Sequence, residues 1–352
     1  MSDKNDYFVT ELLNWGKSVD RNLPWKETRD PYKIWLSEII LQQTRVAQGR
    51  PYYLKFIEQY PTVYDMAKAS EEEILGLWKG LGYYSRARNM HFSAKMIVDD
   101  FGGTIPNDLK KVLSLKGVGN YTAAAILSFA YNAHHAVVDG NVIRVLSRYF
   151  GIVDAVDNTQ TLKGIQNLAN SLLPNGKSDV YNQAIMDFGA TYCIPKNADC
   201  ENCIFNTNCG AFKDDLVTQI PLKLKKMKKT ERFFHFLVVI DDDKILMEKR
   251  TGQDIWKGLF QLPMIEVHTK PSTDKLVVSN TDFENITQTI FIEKKNQVLT
   301  HQKINGYFWR CTFDEFQINN PKYRWMSFDR LEKIGLPRII DLFLSKFLLS
   351  LK

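Results

Sequence analysis

Four cysteines, Cys193, Cys200, Cys203 and Cys209, stand in the pattern C-x6-C-x2-C-x5-C between Tyr192 and Gly210. Thiolates this close in sequence can converge on one metal centre. Zinc ribbons usually pair two C-x2-C knuckles across a longer loop. Here a single C-x2-C has unequal arms, so a tetrathiolate zinc site and an iron–sulfur cubane both stay open. Four free thiols without a ligand would be an oxidation liability. Two carboxylates also stand out. Glu38 interrupts the apolar run Ile34-Trp35-Leu36-Ser37-Glu38-Ile39-Ile40-Leu41. From that pattern alone it stands either at the solvent edge of a helix or in a pocket, and the edge is favoured because glutamate is seldom fully buried. Asp139 lies between Ala136-Val137-Val138 and the helical Val142-Ile143-Arg144-Val145-Leu146, the place of an N-cap. A helix N-terminus favours an ionised Asp139, and burial would favour a protonated Glu38. Two carboxylates pushed in opposite directions are the expected arrangement of an acid and a base.

Two glycine turns could present these groups to a polyanion. In Leu115-Lys116-Gly117-Val118-Gly119-Asn120-Tyr121-Thr122-Ala123, Gly117 and Gly119 precede an alanine-rich helix. Glycines allow positive φ and close backbone approach. The helix start offers unpaired N–H groups to a phosphate. A short G-x-G alone is common in turns; its setting between Leu109–Leu113 and a helix makes it a helix-hairpin-helix pattern. The second turn, Gly80-Leu81-Gly82-Tyr83-Tyr84-Ser85-Arg86-Ala87-Arg88, offers two arginines, Arg86 and Arg88, for phosphates and an aromatic that either projects from a glycine-flexible turn or packs at a helix start.

Apolar residues at spacings of three and four make residues from about 7 to 212 helical, as in Ile74, Leu77, Trp78 and Leu81. Residues 213–231 are lysine-rich with Pro221 and read as a connector. Strand-like runs follow at 234–240, 244–247 and 306–309, with Asp241-Asp242-Asp243 as a hairpin turn. Helices are expected at Asp329–Ile334 and Pro337–Leu351. The domains are expected at 1–212 and 232–352. The chain has 352 residues and a net charge of +6, compatible with a nucleic-acid partner without requiring one. The fifth cysteine, Cys311, reads as a buried strand thiol. An odd cysteine total and the lack of an apolar N-terminal region lead to the expectation of a reducing, cytoplasmic setting, with no membrane span.

The cysteine spacing resembles the [4Fe–4S] loop of endonuclease III-type glycosylases. Leu23-Pro24-Trp25-Lys26, Asp30 to Glu38, Leu41-Gln42-Gln43-Thr44 and Asp139-Gly140-Asn141-Val142 resemble adenine DNA glycosylases of the MutY type. The fold this implies is a mostly α, two-lobed helix-hairpin-helix glycosylase domain with an iron–sulfur loop, then an α/β Nudix-like domain. The resemblance makes Glu38 the general acid on adenine, Asp139 the stabiliser of an oxocarbenium sugar, and water the nucleophile. It lines the adenine pocket with Arg21, Trp25, Lys26, Leu41, Val46, Tyr121, Gln183 and Met186, and puts Asn141 near the sugar. Gln43, Thr44, Leu81, Tyr83, Thr300 and His301 fall at the wedge and the opposite base. Lys26 replaces the family's usual arginine, and Leu299 replaces the phenylalanine of its lesion-sensing loop. Bifunctional relatives carry a lysine where this chain has Tyr121, and a phenol cannot form their imine. A monofunctional enzyme is expected, acting as a monomer on double-stranded DNA with A:8-oxoguanine or A:G mispairs, with the bacterial chromosome. Gly258 onward lacks the glutamate-rich Nudix helix, so nucleotide hydrolysis is not expected. The rival readings are a pyrimidine-lesion glycosylase/lyase, opposed by Tyr121 and the extra domain, and a non-catalytic DNA-binding protein, opposed by Glu38 and Asp139.

Overall fold

The structure is a computed structural model that describes residues 2–19, 21–224, 229–271, 276, 283, 286–313 and 320–351. Among the described residues, twelve α-helices come first: α1 (Ser2–Lys17), α2 (Pro31–Leu41), α3 (Val46–Gln59), α4 (Val63–Lys68), α5 (Glu71–Leu77), α6 (Ser85–Phe101), α7 (Leu109–Leu113), α8 (Asn120–Tyr131), α9 (Gly140–Phe150), α10 (Thr159–Leu172), α11 (Ser178–Thr191) and α12 (Gly210–Lys213). Among the described residues eight strands follow: β1 (Thr230–Val238), β2 (Ile240–Asp241), β3 (Lys244–Lys249), β4 (Phe260–Gln261), β5 (Met264–Val267), β6 (Ile286–Val298), β7 (Gln302–Phe313) and β8 (Tyr323–Ser327). Helices α13 (Phe328–Leu331) and α14 (Arg338–Leu349) close the chain. Two compact units emerge, Met1–Ala67 with Phe92–Lys226, and Lys68–His91 with Met227–Lys352.

In the first unit, local chemistry sets the helix starts that matter. Asp30 caps α2 by accepting from the Tyr32 N–H, with Pro31 in the first turn. Asp108 caps α7 in the same way through Lys111 N–H. Helix α9 starts at Asp139 and stops at Gly151, whose φ of +69° a side chain would disfavour. The main core joins Phe8 and Leu12 of α1, Val142, Val145, Leu146 and Tyr149 of α9, and Tyr181, Ile185 and Phe188 of α11. Removing a ring from such a site, as in Phe188→Ala, costs about 3–5 kcal/mol. Helix α2 is buried over Tyr32, Ile34, Trp35, Leu36, Ser37, Glu38, Ile39 and Ile40. It therefore offers Glu38 no solvent edge, which overturns the reading from apolar pattern alone. A helix that is apolar nearly all round is an interior helix.

The second unit is built on two four-stranded sheets. One runs β5-β1-β7-β6, with β1 and β7 parallel; the other joins β2, β3 and β4, with β8 on β3. Asp242 and Asp243 turn β2 into β3, with Asp242 at φ +49°, while Asp241, expected in the turn, lies in β2 opposite Lys244. Phe234, Phe236 and Phe308 pack on Ile339, Ile340 and Phe343 of α14. Cys311 is buried in β7. Residues 68–91 group here rather than with the helices around them in sequence, which departs from the expected linear boundary at 212. The reason is their partners: Lys79 pairs with Asp341 at 2.8 Å, Arg330 with Glu72 at 2.9 Å, and the Tyr84 hydroxyl donates to the Leu336 carbonyl at 2.8 Å. The expected connector, 213–231, lies partly outside the described residues. Among the described residues no helix is long and apolar enough to cross a membrane.

Candidate active site

Glu38 is 7% exposed on α2. Burial pushes its carboxyl up to about 7; a hydrogen bond with Tyr121 opposes the rise and the charge of Asp139 adds to it. Tyr121 stands in the first turn of α8, and burial drives its own phenol well above the ordinary range. Asp139 caps α9: its carboxylate accepts from the Val142 N–H at 2.8 Å and from Asn141 Nδ2 at 2.8 Å. These bonds hold Asp139 down, yet burial outweighs them and its carboxyl is raised too. The two carboxylates are therefore not pushed in opposite directions, as the sequence led us to expect. Both move up, and donors restrain Asp139 more than Glu38 because Asp139 sits on open N–H groups of a helix start.

Glu38, Tyr121, Asp139 and Asn141 line one cavity of about 470 Å³. Arg21, Trp25, Lys26, Leu41, Val46, Gln183 and Met186 line it as well, so the structure gathers every residue expected at the base and sugar. Thr44, expected at the opposite base, is on this wall too. Trp25 packs edge-on against Tyr53, with centroids 5.3 Å apart. Sequence reasoning missed Asp187, which is buried on α11, pairs with Arg21 at 2.8 Å and also holds the Lys26 ammonium. It missed the Arg29–Asp179 pair, at 2.8 Å, on the same wall. Asp187 lies four residues after Gln183, the helical spacing that was the only available hint.

The glycine hairpin links α7 to α8. Gly117 takes φ +81°, but Gly119, the N-cap of α8, has φ −99° and needs no left-handed freedom. What Gly119 provides is open space, since a Cβ there would meet no atom within 4 Å. Gln42 at the end of α2 donates to the Gly117 carbonyl at 3.2 Å and to Thr122 Oγ1 at 3.2 Å, tying the helix of Glu38 to the hairpin. Gln43, next in sequence, is exposed with φ +54°.

The second glycine turn lies in the other unit. Gly82 and Tyr83 have φ of +74° and +48°, and Tyr83 is 48% exposed. Its hydroxyl meets Thr300 Oγ1 at 2.8 Å. The neighbouring His301 is exposed, and its carbonyl accepts from Thr230 N–H at 3.0 Å. Arg86 does not present itself to phosphate, contrary to expectation. It is buried, its guanidinium lies 5.0 Å from the Trp78 ring and 5.6 Å from the Tyr83 ring, and it donates to the Gly82 carbonyl at 3.2 Å. A turn with successive positive φ values leaves carbonyls facing inward, and the arginine satisfies them. Arg88, partly buried, donates to the Lys257 carbonyl. Leu81 is buried.

Cys193, Cys200, Cys203 and Cys209 line one cavity with Arg148. Burial, joined by mutual repulsion, raises the thiols of Cys200, Cys203 and Cys209, Cys203 to about 12. Among the described residues no three His, Cys, Asp or Glu side chains are arranged to hold a single metal ion. Arg148 Nη1 donates to Cys193 Sγ at 3.4 Å, and Phe205 N–H to Cys203 Sγ at 3.4 Å. Arg144 donates to the Cys193 carbonyl at 2.7 Å and to Asn141 Oδ1 at 2.9 Å, so hydrogen bonds run from the cysteine loop to Asp139. Gly189 permits this approach of α11 and α9, because a Cβ there would stand 2.7 Å from Asn141 Cβ.

The HhH-GPD superfamily of base excision DNA repair proteins matches residues 36–173, and a NUDIX domain matches 235–346. Adenine DNA glycosylase from Buchnera aphidicola subsp. Baizongia pistaciae is 34% identical over 343 residues, 96% of each chain. The chain belongs to the adenine DNA glycosylase family. It is thus a monofunctional DNA glycosylase of base excision repair. The adenine DNA glycosylase of Mus musculus is 40% identical over 217 residues, covering 58% of this chain and 42% of the mouse protein. Among solved structures, a thermostable thymine-DNA glycosylase aligns at TM-score 0.57 and 34% identity, over 60% of this chain and 98% of its own. An endonuclease III–DNA complex shares the fold at TM-score 0.54 and 20% identity, over 61% of this chain and 98% of its own. The expected fold class stands: a helical helix-hairpin-helix glycosylase domain followed by a strand-rich Nudix-like domain.

Proposed function

We propose that this glycosylase removes adenine paired with 8-oxoguanine or guanine in double-stranded DNA, with Glu38 as general acid and Asp139 as stabiliser of the sugar cation. The observation that carries the reading is the meeting of those two carboxyls, brought from α2 and the start of α9, in one cavity with Tyr121 bonded to Glu38. A cavity of about 470 Å³ is of ligand-pocket size. Adenine is a poor leaving group as an anion. A carboxyl raised to about 7 still holds a proton near neutral pH and can give it to the base. The bond to C1′ then breaks, Asp139 faces the developing positive charge, and water takes the base's place. Tyr121 offers no amine, so no imine to the sugar forms and the strand stays intact.

The base must leave the stack to reach this cavity. Tyr83 is the proposed wedge, with Gln43, Thr44 and Leu81 around the opposite base. The Tyr83–Thr300 contact joins the wedge to the loop proposed to read that base, with His301 beside it. Gly117 and Gly119 are the proposed phosphate site of the first unit, and Arg88 of the second is proposed separately as a phosphate contact.

The four cysteines are proposed to hold a [4Fe–4S] cluster. Support comes from their shared cavity, from N–H donors on two of the sulfurs, and from the ligand count of a cubane, whose four thiolates stand further apart than the ligands of one ion. When bound, the group supplies cationic charge that keeps buried thiolates ionised and ties the loop together. Incubating the protein with an A:8-oxoguanine duplex should yield free adenine, with strand breakage only after alkali. Absence of base release, or cleavage without alkali, refutes the reading.

A further inference from the structure

Two cations line the cavity without being needed as acids or bases. Arg21 and Lys26 come from the same short stretch before α2, and one buried carboxylate, Asp187 on α11, meets both. Arg29 on the same wall is already matched by Asp179. The remaining charged or titratable lining groups are Glu38, with Tyr121 and Asp139 beside it; α3 adds only the uncharged Val46. Setting aside the neutral Arg29–Asp179 pair, Asp187 meets the two positive charges of Arg21 and Lys26, and Asp139 adds a second negative charge to the same cavity. That balance matters because the proposed reaction makes the base, and then the sugar, cationic.

We propose that Asp187 is a positioning residue that fixes Arg21 and Lys26 against the cavity wall and cancels one of their two charges, so that a bound base can be protonated there. This rests on the adenine reading above. Without Asp187, two unpaired cations would face the substrate. They would favour the ionised form of Glu38, oppose transfer of its proton, and leave the long side chains of Arg21 and Lys26 free to enter the space of the base. The buried carboxylate thus keeps the donors near the base while limiting their field. Asp187 touches neither base nor sugar in this role; it acts through Arg21 and Lys26.

The test is single-turnover adenine release from an A:8-oxoguanine duplex, measured across pH for the wild type, Asp187→Asn, Lys26→Met and the double variant. The acid must be protonated, so the rate falls as pH rises through the Glu38 transition. In Asp187→Asn that fall should move down by about one pH unit, an about tenfold loss at pH above it. Lys26→Met should move it up, and the double variant should bring it back toward the wild-type position. A purely structural role would lower the rate without moving the transition. If Asp187→Asn fails to fold, Lys26→Met carries the same test alone. An unmoved transition in both single variants overturns the inference. Absence of adenine release by the wild type would instead overturn the functional reading on which it rests.

Discussion

Replacing Glu38 by glutamine should make the protein more stable at alkaline pH while abolishing its chemistry. Burial raises the Glu38 carboxyl from its ordinary 4.5 to about 7. Below pH 4.5 the group is neutral in both folded and unfolded chains, so it imposes no penalty. Between 4.5 and 7 the unfolded chain ionises while the native state retains the proton, and stability declines as pH rises. Above 7 the native carboxylate is ionised too, and the loss is complete. At about 1.4 kcal/mol per pH unit, this amounts to about 3 kcal/mol. A glutamine has no such term, and its carbonyl can still accept from Tyr121. Urea unfolding of wild type and Glu38→Gln should therefore coincide closely at pH 4.5 and differ by about 3 kcal/mol at pH 8, the variant being the more stable. Base release by the same variant should fall by at least about 100-fold. Equal stability at both pH values would mean that Glu38 is not held in a desolvated site. A near-wild-type rate would remove it from the reaction.

The remaining predictions follow from single contacts. Tyr121→Phe deletes the bond that restrains the Glu38 rise, so the pH at which adenine release falls off should move up by about one unit; a fixed transition would show that the phenol does not reach the carboxyl. Arg86→Gln removes the cation between Trp78 and Tyr83 and should weaken binding to a mispaired duplex by about 1–2 kcal/mol, as Tyr83→Ser should. If Arg86→Gln alters salt dependence as a lost phosphate contact would and Tyr83→Ser leaves binding intact, the bracing role is wrong. Cys203→Ser should yield protein with little absorbance near about 410 nm and reduced thermal stability, whereas an unchanged iron content would exclude Cys203 as a ligand.

Much of the site was legible because its parts are local. The cysteine spacing, the cap position of Asp139, the hairpin of Gly117 and the tyrosine at 121 are each set within a few residues. Strands β1 and β3 and the middle of β7 were foreseen from β-branched and aromatic runs such as Phe234 to Val239, whereas β5, β6, β8 and the strand pairing were not. Asp187, Gln42 and Gly189 were missed for one reason: each works on a partner distant in sequence, respectively Arg21 and Lys26, the hairpin carbonyl of Gly117, and Asn141. Arg86 was misread because an arginine on a glycine turn looks the same in sequence whether it faces solvent or fills the turn.

The sequence by itself determined which chemical groups exist: an acid in an apolar helix, a capping aspartate, four thiols and a phenol in place of an amine. Tertiary packing decided what those groups are like. It took Glu38 largely out of water, lifted Asp139 despite its cap, withdrew Arg86 from the surface, and set Asp187 against two cations. Desolvation and charge coupling depend on every neighbour in space, and one strand of sequence specifies only the neighbours along the chain.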